Sequence, residues 1–250
     1  MLILLPPSES KAHRRRGAPV RPHTLSFPGL APARDEVGEV LARVSARPGA
    51  ASALGVGPAV AEEVGRNLRL AEAPALAARD LYTGVLYDAL DLASLDAASS
   101  RRATRRVVVV SALYGAVRPT DRLAPYRLSM GVSLPGLGPL ASFWRPHLTP
   151  VLEAAAGRGL VVDCRSSTYA AAWAPGGELA RRWVQVRVPG ATHMAKHTRG
   201  LVARALCGTA ADPRRPEALL GLLADAFHVD LQEPERSGRP WVMDVTVRQT

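Results

Sequence analysis

Val107-Val108-Val109-Val110-Ser111 is the stretch that most clearly indicates the fold of this chain. Four consecutive valines cannot alternate between core and solvent, so they predict a strand that is buried on both faces, as in a parallel sheet. Met1–Leu5 and Leu160–Cys164 have the same character, whereas Trp183–Val188 and Trp241–Val247 alternate as half-buried strands do. These segments predict the strands of one sheet.

Helical segments lie between the predicted strands. An apolar stripe within Pro32–Ser45 predicts an amphipathic helix, and further helices are predicted at Phe143–Ala156, His193–Leu206 and Pro216–Phe227. Strands that alternate with helices favour an α/β fold, a mixed sheet with flanking helices. The chain has 250 residues, no internal repeat and no clear boundary, so residues 1–250 are predicted to form a single domain.

Composition narrows the class of protein. The cysteines, Cys164 and Cys207, are too few for a disulfide scaffold and lack metal-ligand spacing, so we expect reduced thiols and neither a metal nor a cofactor. No run approaches the roughly 20 apolar residues of a membrane span, and Met1–Leu5 lacks the charged leader of a secretion signal. We therefore expect a cytoplasmic monomer without membrane partners. The net charge of +10 favours nucleic acid or a nucleotide as partner, because clustered cations attract phosphate.

Lysine is rare among the cationic residues. Of 32 lysines and arginines, only Lys11 and Lys196 are lysines. Because a guanidinium cannot be deprotonated to act as a base or nucleophile, a lysine retained in an arginine-biased chain indicates a need for an amine. Chance retention is the alternative. Lys11 falls within Ser8–Phe27, whose proline and arginine content predicts an irregular, exposed and mobile loop.

Gly55-Val56-Gly57 resembles the turn of a helix-hairpin-helix element, which would occupy about residues 33–71. The glycines permit positive φ and close backbone approach, and Pro58 suits the first helical position. Backbone amides at such a turn can hydrogen-bond a DNA phosphate without reading its sequence. A plain connector with glycine caps is the alternative interpretation.

Polar residues follow two of the predicted strands. The strand that ends at Ser111 leads into a loop with Arg118, Tyr126 and Arg127, and ligands of α/β proteins commonly lie beyond the carboxyl ends of strands. Arg127 can hold a phosphate or carboxylate with its forked guanidinium, although these arginines can equally pair with acidic residues and pin the loop. Asp163 follows another strand and is either a general acid or base, or a helix cap.

Two further segments concentrate polar groups. Tyr82-Thr83-Gly84 places two hydroxyls beside a flexible glycine, which suits a turn that faces a ligand, unless the tyrosine packs in the core. On a helix, His193, Lys196 and His197 share one face, with Arg199 close by. The histidines have the spacing of a metal pair, but no acid or cysteine completes a site, so we predict no metal there.

Several of these segments carry a resemblance to a known family. They are Met1-Leu-Ile-Leu4, Pro6-Pro-Ser-Glu-Ser-Lys11, Tyr82-Thr-Gly84, Leu113-Tyr-Gly-Ala-Val-Arg-Pro119, Pro125-Tyr-Arg-Leu-Ser-Met-Gly131, Phe143-Trp144 and Ala195-Lys-His-Thr-Arg-Gly-Leu201. Together and in this order, they resemble the YaaA peroxide-stress family of bacterial proteins, in particular its actinobacterial branch.

The resemblance implies a single-domain mixed α/β fold and a role in limiting damage during peroxide stress, associated with lower free iron and protection of DNA. It also implies a positively charged cleft and a helix-hairpin-helix element that binds double-stranded or branched DNA. It carries the family's motif lysine and arginine onto Lys196 and Arg199, and its Tyr-Arg pair onto Tyr126 and Arg127. The arginine-rich amino-terminal loop and the insertion at Gly136–Pro139 depart from the family pattern and leave the ligand open.

Two functions are therefore predicted. The first is a peroxide-stress protein that binds DNA through Gly55, Val56, Gly57, Arg199 and Arg204 and so limits iron-dependent damage. The second is an enzyme that acts on a nucleobase, a nucleotide or a glycosidic bond by means of a lysine amine. Its predicted residues are Lys196, Asp163, Tyr82 and Lys11 for catalysis, and Arg127, Tyr126, Arg118, Thr83, Arg199 and Ser8 for ligand binding. Iron sequestration by the protein itself is not predicted, because hard ligands do not cluster in the sequence.

Overall fold

The computed structural model describes residues 1–190 and 193–248, and its centre is a seven-stranded sheet. The strands are β1 (Leu2–Leu5), β2 (Val107–Ser111), β3 (Gly115–Val117), β4 (Val161–Asp163), β5 (Trp183–Arg187), β6 (Phe227–Gln232) and β7 (Trp241–Val247). They lie in the order β6-β7-β5-β4-β1-β2-β3. The five central strands run parallel, whereas β6 and β3, at the two edges, pair antiparallel with β7 and β2. The predicted α/β fold with a mixed sheet is confirmed.

Helices flank this sheet. The α-helices are α1 (Ala31–Ser45), α2 (Ala50–Ala53), α3 (Ala78–Leu81), α4 (Val85–Leu90), α5 (Ala97–Arg106), α6 (Leu140–Ala156), α7 (Ser167–Ala170), α8 (Gly177–Ala180), α9 (His193–Gly208) and α10 (Ala218–Leu223). Shorter 3-10 segments occur at Pro22–Thr24, Pro28–Leu30, Pro58–Arg69 and Leu92–Ser94. Two small ladders pair Leu76–Ala77 with Arg122–Leu123 and Ser133–Leu134 with Gly138–Pro139. None of the helices in the described part of the chain is long and apolar enough to cross a membrane.

The parallel strands end together at one edge of the sheet. Leu4 pairs with Val108 on one side and with Asp163 on the other, so the segments that follow β1, β2 and β4 emerge side by side. This carboxyl edge is where ligands bind in open α/β sheets. After Ser111 the chain turns back as β3, and Arg118 therefore lies at the opposite, amino edge.

The core of the sheet is aliphatic. All of β1 and the valines of β2 are at most 2% exposed, which agrees with their uninterrupted apolar character. Trp144 of α6 covers the β2–β3 turn and donates its indole N–H to the carbonyl oxygen of Ala112 at 2.8 Å. The turn requires Gly115, which has φ +69° and where a Cβ atom would lie 2.6 Å from the Trp144 ring.

The predicted helices at Pro32–Ser45, Phe143–Ala156 and His193–Leu206 are found, with ends shifted by one to three residues. The helix predicted at Pro216–Phe227 is wrong at its carboxyl end: it ends at Leu223, because the next residues join β6 and form a hairpin with β7. The prediction also lacks α5, whose arginine-rich sequence hides a short amphipathic helix. Its amino terminus is capped by Asp96, which accepts hydrogen bonds from two backbone amides at 2.8 and 3.0 Å.

The Ser8–Phe27 segment is mostly irregular, but it is not exposed throughout. Lys11 is only 8% exposed and forms an isolated β-bridge with Tyr82, and Leu25 is also buried. The prediction of an exposed loop is therefore wrong at these residues. Backbone pairing with the Tyr82 segment draws Lys11 into the interior, and composition alone carries no sign of this long-range contact.

The helix-hairpin-helix element predicted at about residues 33–71 is not confirmed. α2 has four residues, and Pro58–Arg69 is a run of 3-10 turns interrupted at Val60, which has φ −127° and ψ 16°. The glycine turn between them is present, since Gly55 has φ +62° and Gly57 is extended. Both glycines have open space where a Cβ atom would lie.

Candidate functional site

The candidate site lies at the carboxyl edge of the sheet and is centred on Lys11. The chain leaves β1 at Leu5 and reaches Lys11 after two prolines and a short polar stretch. Tyr82 comes from the end of α3, Tyr126 follows the short strand Arg122–Leu123, and Ser111 ends β2. The fold thus assembles the Lys11 centre, which we define as Lys11, Tyr82, Tyr126 and Ser111, from segments far apart in sequence.

Lys11 is held by carbonyl oxygens and by aromatic rings. Its Nζ atom donates to the carbonyl oxygen of Ser8 at 2.8 Å and lies 3.4 Å from that of Glu9. The same atom is 4.2 Å from the ring centroid of Tyr126 and 5.9 Å from that of Tyr82. These neighbours favour a cation, but the burial of the side chain removes the water that would solvate its charge.

The balance of these effects brings the pKa of Lys11 down to neutrality. Burial lowers this pKa from the ordinary 10.5 to about 7, and the guanidinium of Arg127 acts in the same direction. The carboxylates of Glu63 and Glu9 oppose the shift without cancelling it. A substantial fraction of Lys11 is therefore an uncharged amine at neutral pH, which can act as a base or nucleophile.

All five tyrosines of the chain belong to this edge of the fold. Tyr82 and Tyr87 stack with ring centroids 5.3 Å apart, and Tyr114 meets Tyr126 edge to face at 5.5 Å. The charge of an ionised Tyr169 phenol, in α7, raises the pKa of Tyr87 and Tyr126. Burial raises the pKa of every one of these phenols, that of Tyr169 to about 12, so all remain protonated at neutral pH.

A chain of buried hydroxyls runs beside the Lys11 amine. Ser111 Oγ lies 2.8 Å from Tyr126 Oη, which lies 3.4 Å from Tyr82 Oη. Ser111 Oγ also accepts a hydrogen bond from the backbone amide of Tyr114 at 3.0 Å. A connected chain of this kind can hold or pass a proton next to a reacting amine.

Arg127 forms the rim of the site, and Asn67 holds it there. The Nη1 atom of Arg127 is 3.3 Å from the carbonyl oxygen of Glu9 and 3.4 Å from a carboxylate oxygen of Glu63. The Asn67 side chain accepts from the Arg127 amide at 2.8 Å and donates to the Arg127 carbonyl oxygen at 2.9 Å. Asn67 is 1% exposed, and its two hydrogen bonds fasten the Pro58–Arg69 segment to the site.

Ser8 and Thr83 hold the Lys11 segment in place. The amide of Thr83 donates to Ser8 Oγ at 3.1 Å, and the Thr83 hydroxyl donates to the carbonyl oxygen of Ser10 at 3.3 Å. Tyr87 of α4 donates to the carbonyl oxygen of Pro6 at 2.6 Å. Ser8 and Thr83 thus adjoin the site, with their polar groups engaged inside the protein, and their role in ligand binding stays a prediction.

Asp163 lies inside the fold in an ion pair. Its side chain and that of Arg165 are both 0% exposed and approach to 2.7 Å, and the indole N–H of Trp183 donates to Asp163 at 3.2 Å. A second nitrogen of Arg165 donates to the same carboxylate at 2.8 Å. This geometry accounts for Asp163 as a structural residue, and its catalytic role stays a prediction.

The predicted cations of α9 have different surroundings. Lys196 is exposed, and its ammonium has no hydrogen bond or ion pair within residues 1–190 and 193–248. Arg199 donates to the carbonyl oxygen of Val186 at 3.3 Å. Arg204 donates to the carbonyl oxygens of Leu90 and Asp91 at 3.0 and 2.6 Å and so caps α4. Lys196 is therefore not part of the Lys11 centre, and its catalytic role stays a prediction.

The structure does not bring Arg118 to Arg127, although both belong to the loop region after Ser111. Arg118 donates to the carbonyl oxygen of Val107 at 3.2 Å, and its guanidinium lies 5.2 Å from the ring centroid of Phe27. These contacts are at the amino edge of the sheet. The two arginines lie apart because the β2–β3 hairpin returns the chain before Arg118, and the role of Arg118 in ligand binding stays a prediction.

Several residues of the site are absent from the sequence-based prediction: Asn67, Glu63, Ser111, Tyr87 and Tyr169. Two signals were available. Asn67 is the sole asparagine of the chain, and tyrosines are few in a chain with only 5% aromatic residues. Neither signal states which residues meet, since the contacts join segments that are remote in sequence.

The described residues offer no cluster of three or more histidine, cysteine or acidic side chains that could hold a metal ion. Cys164 and Cys207 are buried free thiols, and burial raises their pKa to about 12 and about 11. The side chain of His193, one half of the histidine pair, lies outside the described residues.

Comparison with known proteins gives consistent matches over the chain. The family described as peroxide stress protein YaaA matches residues 1–233. A UPF0246 protein of Streptomyces coelicolor is 48% identical over 100% of this chain and 99% of its own length. UPF0246 proteins of Corynebacterium glutamicum and Corynebacterium efficiens are 34% and 37% identical over 94% and 82% of this chain. These alignments cover 96% and 84% of the two relatives.

Proposed function

This chain belongs to the peroxide stress protein YaaA family, and on that premise we propose that it serves the peroxide response by chemistry on a nucleobase- or nucleotide-like molecule at the Lys11 centre. The observation that carries the proposal is the buried amine of Lys11, whose pKa is lowered to about 7. Perturbed groups of this kind are concentrated at functional sites, because catalysis needs a base or nucleophile that is ready at neutral pH.

The chemistry of the amine supports this function. The other 31 of the 32 basic side chains are arginines or the exposed Lys196, and no arginine can lose its proton in water. Lys11 is thus the cationic residue best suited to act as a nucleophile or general base. The neighbouring hydroxyl of Tyr126 supplies or accepts hydrogen bonds as charge develops on the reacting atoms.

The rim of the site suits an anionic ligand with a planar ring. The Arg127–Glu63 contact of 3.4 Å is long, so a phosphate can displace the carboxylate and take the forked guanidinium. Tyr169, half-buried beside Arg127, offers an aromatic ring at the same rim. A ligand reaches the amine when Arg127 and the Ser8–Ser10 segment move aside, because these groups cover it in the present structure.

Trace acetylation of the folded protein tests the proposal, because only Lys11 and Lys196 carry side-chain amines. Mass spectrometry would follow each lysine across pH, without ligand and with a panel of nucleobases, nucleosides and nucleotides. We expect Lys11 to titrate at about 7 and at least one phosphate-bearing compound to protect it while Lys196 labels unchanged. Labelling of Lys11 at an unchanged rate with every compound would remove the support for a nucleotide-like ligand.

A matched pair of variants tests the link to peroxide. We expect cells that carry Lys11→Arg to lose survival under hydrogen peroxide to the extent of a deletion, whereas Lys196→Arg leaves survival unchanged. Each variant removes one amine, and Lys11→Arg also replaces a group that titrates near pH 7 with a permanent cation. Wild-type survival of the Lys11→Arg strain would show that the stress function does not use this amine.

DNA binding is the second candidate function, with protection reached through DNA rather than through iron held by the protein. It is favoured by the exposed turn Gly55–Gly57, where the open space beside both glycines permits close approach of a phosphate. The net charge of +10 adds a general attraction for nucleic acid. Arg199 and Arg204, each bound to a carbonyl oxygen, remain predicted contacts.

Fluorescence anisotropy with duplex and branched DNA across a salt series tests this candidate. We expect affinity to fall roughly tenfold or more over a few-fold rise in salt if several phosphates are contacted. Gly57→Glu should weaken binding, whereas Gly65→Glu, an exposed position in the adjoining segment with open space around it, should not. Binding that ignores both salt and Gly57→Glu would exclude this turn as a DNA contact.

A further inference from the structure

A charged cleft lies at the amino edge of the sheet, away from the Lys11 centre. It has a volume of about 520 Å³ and is lined chiefly by four arginines of α5, namely Arg101, Arg102, Arg105 and Arg106. The amino-terminal ammonium of Met1 also lines it. We refer to these five groups as the α5 arginine cleft.

Arg102 and Arg106 form the inner row of the cleft, and the carboxyl end of α9 holds their guanidinium groups in place. Arg106 donates to three carbonyl oxygens of the chain at and beyond this end, each at 2.7 Å. Arg102 donates through Nε and Nη2 to the carbonyl oxygens of Cys207 and Gly208 at 2.9 and 2.7 Å. These bonds satisfy carbonyl groups that the helix leaves unpaired, and they hold both guanidinium groups in position without further ordering.

Arg101 and Arg105 form the outer row of the cleft, and no carbonyl oxygen of the described residues holds them. Arg101 and Arg105 lie one helical turn apart and are exposed, and their side chains make no hydrogen bond or ion pair with any residue that the structure describes. The Nη1 atom of Arg102 is likewise unused by the described residues. The carboxylate that lines the cleft is Asp212, which is paired with the Met1 ammonium. The cleft therefore holds a large excess of positive charge.

We propose that the α5 arginine cleft binds a small ligand with a triphosphate chain. Guanidinium groups match phosphate geometry with paired hydrogen bonds, and the unused donors belong to Arg101, Arg105 and the Nη1 atom of Arg102. Arg106 is 8% exposed and bound to three carbonyl oxygens, so it contributes its charge behind them. The volume lies within the range of small-ligand sites. Free tripolyphosphate and a nucleoside triphosphate share this chemistry.

The site is independent of the proposed function. Arg105 and Arg106 precede β2, whereas the Lys11 centre contains the last residue of β2, so the two sites lie at opposite ends of that strand. Binding in the α5 arginine cleft therefore requires neither the amine of Lys11 nor Arg127.

Isothermal titration calorimetry of the full chain with inorganic tripolyphosphate tests the proposal. We expect one equivalent to bind, and Arg101→Glu/Arg105→Glu to weaken binding by roughly tenfold or more, because two charge-assisted contacts are lost. The matched control is Arg236→Glu/Arg239→Glu, at two exposed arginines between β6 and β7, which changes the net charge equally. We expect this control to bind as wild type does.

The other outcomes are also decisive. Equal losses of tripolyphosphate affinity in the two glutamate double variants would show that only net charge matters, and would overturn the site. Binding of a nucleoside triphosphate without binding of tripolyphosphate would also overturn it. Binding of duplex DNA through Arg101 and Arg105 without binding of tripolyphosphate would overturn the small-ligand assignment in favour of a nucleic-acid surface. A neutral pair, Arg101→Gln/Arg105→Gln, with circular dichroism as the check on folding, must also lose affinity.

Discussion

Individual residues in this protein carry buried charge in two different ways. Lys11 has no ion pair with a carboxylate among the described residues, and burial lowers its pKa, whereas Asp163 forms an ion pair with Arg165 at 2.7 Å. A buried group of the first kind can change its charge in a reaction, whereas one of the second kind holds the structure together. The distinction separates two residues that look equally catalytic in the sequence.

The Asp163–Arg165 pair makes the first prediction. Asp163→Asn leaves the Arg165 guanidinium uncompensated at 0% exposure, so we expect a loss of about 3–5 kcal/mol in the free energy of unfolding. Urea unfolding at neutral pH measures it, and Asp225→Asn, at an exposed position, serves as control. A loss of less than about 1 kcal/mol in the free energy of unfolding would contradict a structural role for the pair and favour a catalytic role for Asp163.

Gly200 makes the second prediction. It lies where α9 crosses α4, and a Cβ atom there would be 2.2 Å from the carbonyl oxygen of Leu86 and 2.8 Å from the Cβ atom of Ala89. Gly200→Ala must push the helices apart, with an expected cost of about 1–3 kcal/mol. Thermal unfolding checks this against Gly208→Ala in the same helix, where the new methyl group meets open space. Equal melting temperatures for the two variants would contradict the close helix crossing.

Among the elements, the Pro58–Arg69 segment connects the glycine turn with the Lys11 centre. Its 3-10 turns pack on α1, and the paired hydrogen bonds of Asn67 tie it to the backbone of Arg127. The segment that looks like a separate DNA-binding hairpin in the sequence is thus part of the rim of the site. A ligand at Arg127 and a contact at Gly55–Gly57 would therefore act on one element.

Removal of this tie makes the third prediction. Asn67→Ala leaves the Arg127 amide and carbonyl without their partner, so we expect a loss of about 1–3 kcal/mol. Hydrogen exchange should show faster exchange at Arg127 and across Pro58–Arg69, with the central strands unchanged. Leu68→Ala, at a side chain that is 52% exposed, is the control. Unchanged exchange at Arg127 in the Asn67 variant would mean that the segment is held by other contacts.

For the whole molecule, the titrating groups of the site shape the dependence of stability on pH. Lys11 has a pKa of about 7 when folded and 10.5 when unfolded, so between these values the unfolded chain binds more protons and stability rises with pH. The tyrosines have raised pKa values when folded, so above their ordinary 10.0 the folded chain binds more protons and stability falls.

The fourth prediction follows from these opposite signs. The free energy of unfolding of the wild type should rise from about pH 7, pass through a maximum below pH 10.0 and then fall. Lys11→Met should abolish the rise and retain the fall, because it removes the amine and leaves the phenols in place. Denaturant unfolding at a series of pH values measures both profiles. Parallel profiles for the two proteins would contradict a buried Lys11 with a lowered pKa.

Much of the fold could be predicted from local pattern. Val107–Val110 and Leu2–Leu5 are buried strands because uninterrupted aliphatic runs have no polar face to present to water. The helix predicted at Pro216–Phe227 is too long at its carboxyl end, where Phe227 pairs with β7 instead. No residue in the local sequence marks the boundary between this short helix and the hairpin strand that follows it. Helix α5 was not predicted, because its inward-facing arginines donate hydrogen bonds to carbonyl groups of α9, which is remote in sequence.

The candidate site, like the fold, could be predicted from the sequence only in part. Side-chain type and short motifs are properties of the sequence, so the sequence alone indicated the family. It also gave Lys11, Tyr82, Tyr126 and Arg127 as candidates, but together with residues outside the Lys11 centre such as Lys196, Asp163 and Arg118. Which lysine is buried, which arginine reaches the carboxyl edge and which hydroxyls join depend on strand order and on long-range pairing such as Lys11 with Tyr82. A pKa is a property of surroundings, so the neutral amine of Lys11 exists only once the chain has folded around it.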